Sequence, residues 1–385
     1  MTQSRKKFLV RATAAGAAAA GTFAFPNVVF GKGEPIRLGV IPCLTGSNAL
    51  LGQQGREGAE FAVAQINARM GKVFDDRPFE IVLEDATGDN QTAVAAMNKL
   101  VTENVDAIVL PVLSTQIQAM APVVKPTGIP WLTGGTAVKN TQLGLNNLFR
   151  FRASDGITAS AMINFLVKEL KKSKIAILHS SEAFGVGGEG QCNLALQKLG
   201  LTAVADIGYP VGQKDFTPEF LRIKQAGADG IVLYVQNPSD TAIILAAFKQ
   251  QKLDVPLIGS PSLANEGALE ASKANANGCY GALDYIIGTP RTDAFITAFQ
   301  AKFNEKPDVG TGSGWVVDAV TLYADTIRKI GRTDKAKIID ALHQVKGWEG
   351  ILGDHTCDAE GNMIHEVGIV QIVDQKPKLV KKVQG

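Results

Sequence analysis

Asp106-Ala107-Ile108-Val109-Leu110 leads through one helical stretch to Gly128-Ile129-Pro130-Trp131-Leu132. The same grammar returns as Asp229-Gly230-Ile231-Val232-Leu233 leading to Asp254-Val255-Pro256-Leu257-Ile258. Each unit is a short apolar run, a helix, and a second apolar run carrying a proline. Runs this short and this uniformly apolar suit strands buried on both faces, as in parallel sheets whose crossovers are helices. The two occurrences read as copies of one βαβ scaffold, although any two βαβ units share part of this grammar. Two copies side by side create a cleft where the carboxyl ends of both sheets face each other, and open α/β sheets bind ligands at that edge.

The alternation extends outward from these units. Strands are expected at 36–41, 79–83, 106–110 and 130–133, with helices at 52–69, 92–103 and about 115–125. Within 52–69, Ala59, Ala62, Val63 and Ile66 fall at helical spacing. The pattern restarts with a helix at 157–170, then strands at 174–179, 202–207 and 230–235 and helices at 188–199, 217–226 and 239–250. Beyond residue 290 three helices (293–303, 313–330, 335–344) precede strand-like runs at 366–373 and 378–383. A late helical block followed by terminal strands implies that the chain returns to complete both halves of an α/β protein.

Residues 1–31 read as an export signal. Arg5, Lys6, Lys7 and Arg11 form a positive start, an Ala-rich apolar stretch follows, and Phe25-Pro26-Asn27-Val28-Val29-Phe30-Gly31 closes it. The run Ser4-Arg5-Lys6-Lys7-Phe8-Leu9 resembles a twin-arginine signal with Lys6 where the second arginine usually sits, so the general secretory route stays open. An uncleaved anchor is the alternative, because residues 12–31 carry no charge; Ala and Gly are weakly hydrophobic, however, and Pro26 interrupts them. The first cysteine is Cys43, so no lipidation box follows. The expected address is the periplasm, away from ATP and nicotinamide cofactors.

Cleavage near Gly31 leaves about 350 residues, too many for one ordinary core and suited to two domains. The chain is 45% hydrophobic and 20% charged with a formal charge of +2, and the four basic residues of the signal account for the positive excess. The remainder is near neutral, its short Lys168–Lys174 group reads as a solvated face at a helix end, and no nucleic-acid partner is expected. Cys43, Cys192, Cys279 and Cys357 lie too far apart for a zinc or redox motif. Their state stays open between free thiols and any of three pairings.

Chemistry-bearing motifs are few. Gly185-Val186-Gly187-Gly188-Glu189-Gly190 matches the dinucleotide pattern G-x-G-x-x-G at the opening of a helix, with Asp206 near the end of the next strand. Residues 180–184 separate it from the preceding strand, whereas the fingerprint sits directly in the turn. An exported enzyme using this turn for a nucleotide cofactor is therefore the alternative reading. There is no Gly-x-Ser-x-Gly elbow, and His179, His343, His355 and His365 show no metal spacing, so neither metal nor cofactor is expected. His179 ends a strand at the presumed cleft as a cap or a solvated side chain. Glu84, Asp85 and Asp89 suit a helix cap or loop. Thr45-Gly46-Ser47, Ser114-Thr115 and Thr133-Gly134-Gly135-Thr136 place hydroxyls and backbone N–H groups at strand ends of one lobe. Such turns hold a small carboxylate without a cationic side chain.

Ile41-Pro42-Cys43-Leu44-Thr45-Gly46 followed by the run from Gly52 to Asn67 resembles the opening of the periplasmic branched-chain amino acid binding proteins, type I substrate-binding proteins of ABC importers. The likeness continues through Glu84-Asp85, Leu113-Ser114-Thr115-Gln116, Gly128-Ile129-Pro130, Thr133 to Thr136, Phe149-Arg150, Ala183-Phe184-Gly185, Lys214-Asp215-Phe216 and Asp358 to Gly361. It spans the chain beyond the signal. The resemblance implies two Rossmann-like α/β lobes with parallel-dominated sheets, joined by a three-segment hinge near residues 151, 286 and 367. It places residues 32–150 with 287–366 in lobe 1 and 151–286 with 367–385 in lobe 2. It implies a monomer that captures a ligand by hinge closure and passes it to membrane permease subunits, with no enzymatic step and no cofactor. A ligand-sensing module for a receptor is a further alternative.

Carried over residue by residue, the resemblance has Ser114, Gly135 and Thr136 holding the ligand carboxylate, Thr45 and Leu51 at the cleft mouth, and Phe184 covering the ligand. Three positions depart. Pro261 stands where the family carries the acid that pairs an ammonium, Asn237 where an aromatic is common, and Ser313 where a bulky group is common. An ammonium buried without a carboxylate costs several kcal/mol. The expected ligand is therefore an aromatic or aliphatic organic acid rather than an amino acid, with Asp284 or Glu266 as the residues that would restore ammonium binding.

Overall fold

The computed structural model describes residues 34–46, 48–69, 77–235, 237–331 and 333–385. The export signal and Ser47 lie outside the described residues. β1 (Ile36–Val40), α1 (Ala49–Arg69), β2 (Phe79–Leu83), α2 (Asn90–Thr102), β3 (Ala107–Val109), α3 (Ser114–Val124), β4 (Trp131–Thr133) and β5 (Leu148–Arg150) follow in order. They form a five-stranded parallel sheet in the order β2-β1-β3-β4-β5. The first repeat unit is the pair β3 and β4, with Ile108 opposite Trp131 and Val109 opposite Leu132.

The chain then builds a second sheet. α4 (Asp155–Asn164), β6 (Ile175–Ser180), α5 (Ala183–Gln197), β7 (Ala205–Tyr209), α6 (Thr217–Gln225) and β8 (Gly230–Tyr234) lead to α7 (Pro238–Gln250) and β9 (Leu257–Gly259). α8 (Pro261–Ala264), α9 (Glu266–Ser272) and β10 (Tyr280–Leu283) complete this passage. α10 (Pro290–Phe303), α11 (Gly314–Ile330) and α12 (Lys335–His343) return to the first sheet. Phe61 of α1 meets Phe295 of α10 edge-on at 5.6 Å, and Trp315, Val320 and Tyr323 of α11 join Leu38 and Ile108 in one core. Three short strands, β11 (Trp348–Glu349), β12 (Asp354–Cys357) and β13 (Met363–Ile364), pair antiparallel.

β14 (Val367–Val373) and β15 (Lys376–Val383) close the second sheet, whose order is β15-β14-β10-β9-β8-β6-β7. Both terminal strands join this one sheet, antiparallel, at its β10 edge. The remaining strands are parallel. The chain thus passes between the sheets between β5 and α4, between β10 and α10, and between β13 and β14.

The glycine motif is corrected by the position of α5. Glu182 precedes the helix, and its carboxylate accepts from the N–H groups of Phe184 (2.7 Å) and Gly185 (2.9 Å). The helix therefore starts at Ala183, and Gly185, Gly187, Gly188 and Gly190 lie inside it rather than in a phosphate-holding turn. Two of them permit close packing. A Cβ at Gly188 would lie 2.1 Å from the Tyr234 ring, and one at Gly185 1.9 Å from the Ser180 carbonyl oxygen. The helix expected over 157–170 is α-helical only to Asn164 and continues as a π-turn over Phe165–Glu169.

Gly188→Ala is expected to destabilise the protein by roughly 1–3 kcal/mol through overpacking against Tyr234. A Gly→Ala change in an unobstructed helix would instead gain up to about 1 kcal/mol. Chemical denaturation reads the sign directly.

Candidate functional site

A cleft of about 370 Å³ opens between the carboxyl edges of the two sheets. From the first sheet come Leu51 of α1, Val112 to Thr115 at the start of α3, Thr136 after β4 and Arg152 after β5. From the second come Glu182 and Phe184 at the start of α5, Pro238 of α7, Ser262 of α8 and Glu266 and Glu270 of α9. The loop from α10 to α11 adds Glu305, Lys306, Asp308 and Thr311.

The helix starts at this cleft are not alike. α5 is capped by Glu182, α7 by Asn237, which accepts from Asp240 N–H at 2.8 Å, and α9 by Asn265, which accepts from Ala268 N–H at 2.7 Å. α3 follows Leu113 and has no side-chain cap. Its first-turn N–H groups and the positive end of its dipole are therefore available to an anion. Ser114 Oγ accepts from Ala137 N–H (3.3 Å) and Asn140 Nδ2 (3.2 Å). With its oxygen so engaged, the hydroxyl proton remains to be donated.

Leu51, Ser114, Thr136 and Phe184 are thus brought together in one cleft, and the other expected positions do not line it. Gly135 supports it from behind, since a Cβ there would lie 2.4 Å from Ile117 Cδ1. Thr45 lies in the loop after β1, Asn237 caps α7, and Pro261 is the buried first residue of α8. Ser313 precedes α11, its Oγ 3.3 Å from the Asp308 carbonyl oxygen and its backbone against Gly58. His179 pairs with Asp206 at 3.5 Å. Asp89 caps α2 through Thr92 N–H, and Asp85 accepts from Leu44 N–H.

The sequence reading missed Arg152 and the acids of the α10–α11 loop. Arg152 is only 6% exposed; its Nε donates to Asp284 Oδ2 at 2.5 Å and its Nη1 to the Gly134 carbonyl at 3.3 Å. The available signal was the Arg150-Phe151-Arg152 run directly after the last strand of the first sheet. The expectation of a site without a cationic side chain is therefore revised. Most cleft acids are engaged by the protein itself. Glu182 is a helix cap, Glu305 accepts from Gln54 Nε2 at 2.7 Å, Asp308 accepts from the N–H and hydroxyl of Thr311, and Glu266 pairs with Lys306 at 3.5 Å at the rim.

All four cysteines are free thiols. Among the described residues no His, Cys, Asp and Glu cluster could hold a metal ion, and no helix is long and apolar enough to cross a membrane.

Two lobes of parallel sheet facing across a carboxyl-edge cleft define a ligand-capturing protein of the hinged, two-lobed class. The chain belongs to the periplasmic binding protein family, whose model matches residues 35–377. It is 28% identical over 348 residues to a Leu/Ile/Val-binding protein homolog of Brucella melitensis, covering 89% of this chain and 92% of that one. It superposes with a TM-score of 0.82 on the branched-chain amino acid transporter substrate-binding protein of Streptococcus pneumoniae in complex with isoleucine, at 24% identity over 91% of this chain and 100% of that one. The TM-score is also 0.82 against a solute-binding protein of an ABC transporter from R. palustris in complex with 4-hydroxybenzoate, at 22% identity over 91% and 97% of the two chains. The protein is a solute-binding component of an ABC transporter, not an enzyme, and its family implies an extracytoplasmic location. The nucleotide-enzyme reading is not favoured.

Asp155 lies buried in the first turn of α4, behind Thr136, whose carbonyl accepts from Asp155 N–H at 2.9 Å. Burial pushes its carboxyl up to about 7, against the pull of Thr136, Arg150 and Arg152. The folded state thus keeps a proton that the unfolded chain loses near pH 4. The stability this gives is complete below about pH 4 and is lost as pH rises through about 7. Asp155→Asn removes the titration. Its melting temperature relative to wild type should rise between pH 5 and pH 8, and a difference independent of pH would contradict the assignment.

Proposed function

We propose that this protein captures a small organic acid, aromatic or aliphatic and without an ammonium group, and delivers it to the permease subunits of its importer. The observation that carries this reading is the uncapped start of α3. Of α3, α5 and α7, the longer helices opening on the cleft, it alone has no side-chain cap; α8 is also uncapped but has only 4 residues. The ligand carboxylate would accept from the first-turn N–H groups and from the Ser114 and Thr136 hydroxyls. Phe184, its ring 5.3 Å from that of Tyr234, would cover the ligand from the second lobe. α8, which begins at Pro261, brings no acid to the cleft, and Glu266 and Glu270 of α9 lie at its exposed rim. Glu182, Glu305 and Asp308 already accept protein hydrogen bonds, an arrangement that disfavours a buried ammonium. Residues 32–150 with 287–366 and residues 151–286 with 367–385 would close on the ligand as rigid lobes of a monomer, after export by a twin-arginine-like or general secretory signal.

A second reading is an amino acid ligand. Glu266 and Glu270 line the cleft at its exposed rim and favour it, as does the relative named for Leu, Ile and Val.

A thermal-shift panel of benzoate, 4-hydroxybenzoate, isovalerate, leucine and isoleucine separates the two, because a ligand that binds the native state raises its melting temperature. The expected result is a shift with a simple acid and none with leucine or isoleucine. A shift confined to the amino acids would select the second reading. For the acid that binds, Ser114→Ala should weaken affinity by roughly 1–3 kcal/mol through loss of a hydrogen bond to a charged group. Isothermal titration measures this, and unchanged affinity would remove Ser114 from the site.

A further inference from the structure

Arg152 lines the cleft, and its environment is unlike that of Arg150, which is also buried. Arg150 donates to the carbonyls of Thr136 (2.9 Å) and Ala137 (2.8 Å) and to Asn362 Oδ1, and does not line the cleft. Arg152 lines the cleft and is bound at Nε by Asp284 and at Nη1 by the Gly134 carbonyl. Its Nη2 has no acceptor among the described residues. Gly134 belongs to the same turn as Thr136, so the guanidinium lies along the wall that presents the carboxylate-holding hydroxyls.

We propose that Arg152 is the residue by which this site selects an anion over its neutral isostere, with Asp284 as its positioning partner. The inference rests on the carboxylate-ligand reading above. A guanidinium presents its donors in a fixed planar fork, so fixing Nε and Nη1 also fixes Nη2. Asp284 is fully buried, and its own carbonyl accepts from His365 Nε2 at 2.6 Å. Arg152, Asp284 and His365 lie on the three successive passages between the sheets, so the fork is tied to all three. Arg152 and Asp284 form a pair that is neutral overall, which avoids a lone buried charge. A carboxylate would share the fork through a charge-assisted bond that an amide of the same shape lacks.

The test is titration calorimetry of matched pairs: benzoate with benzamide, 4-hydroxybenzoate with its amide, isovalerate with isovaleramide, and leucine with leucinamide. Wild type should prefer its acid by at least about 100-fold. Arg152→Gln combined with Asp284→Asn removes both charges together and leaves no lone buried carboxylate. In it the preference should fall to about tenfold or less. Arg152→Lys keeps the charge without the fork and should fall between them. A purely structural role would weaken acid and amide equally and keep their ratio, which would overturn the proposal while leaving the carboxylate-ligand reading intact. If no acid of the panel binds wild type, that reading fails and this proposal fails with it.

Discussion

A parallel strand cannot be joined to its neighbour by a tight turn, so the parallel strands of both sheets are bridged largely by helices, and those helices begin at one edge. The site of this protein depends on that constraint. It brings the starts of α3, α5 and α7 and the residues after β4 and β5 to the two faces of one cleft. Each helix start presents backbone N–H groups that need acceptors. At α5, α7 and α9 the chain supplies them from its own side chains. At α3 it supplies Leu113, which has no acceptor to offer. Among the longer helices at the candidate cleft, α3 thus differs from α5 and α7 in its capping.

The scaffold was legible because its signals are local. The paired Asp-to-Leu runs, the helix-spaced alanines of α1 and the proline-bearing strands each state a strand or helix within a few residues. The positions of Ser114 and Thr136 were legible for the same reason, being strand-end hydroxyls. What was not legible depends on partners distant in sequence. Arg152 takes its position from Asp284, 132 residues away, and no local pattern announces that pair. The α10–α11 loop reaches the cleft only because α10 packs on α1 through Phe61, Phe295 and Phe299. The glycine run at 185–190 misled for the opposite reason. Its pattern is local and correct, but one acidic residue before it starts the helix early and turns a phosphate cradle into a packing surface.

The same logic explains why the matching positions Asn237, Pro261 and Ser313 stand behind the cleft lining. Each precedes or begins a helix whose next residues reach the cavity or pack beside it: Pro238 after Asn237, Ser262 after Pro261, and buried Trp315 of α11 soon after Ser313. A linear correspondence with a distant family points to these helix starts, but the residue that faces the cavity is set by where each helix begins. Capping chemistry moves that point by one or two residues.

Charge placement follows from burial. Asp155 and Asp284 are fully buried and Asp308 is half-buried at the cleft, and burial raises the carboxyl of each. Asp284 is partnered by Arg152 and Asp308 by Thr311, and both partners line the cleft. These pairs therefore also shape the wall of the candidate cleft. Asp284 accepts from the Arg152 side chain through its carboxylate and from His365 through its backbone carbonyl, so one residue links all three passages between the sheets.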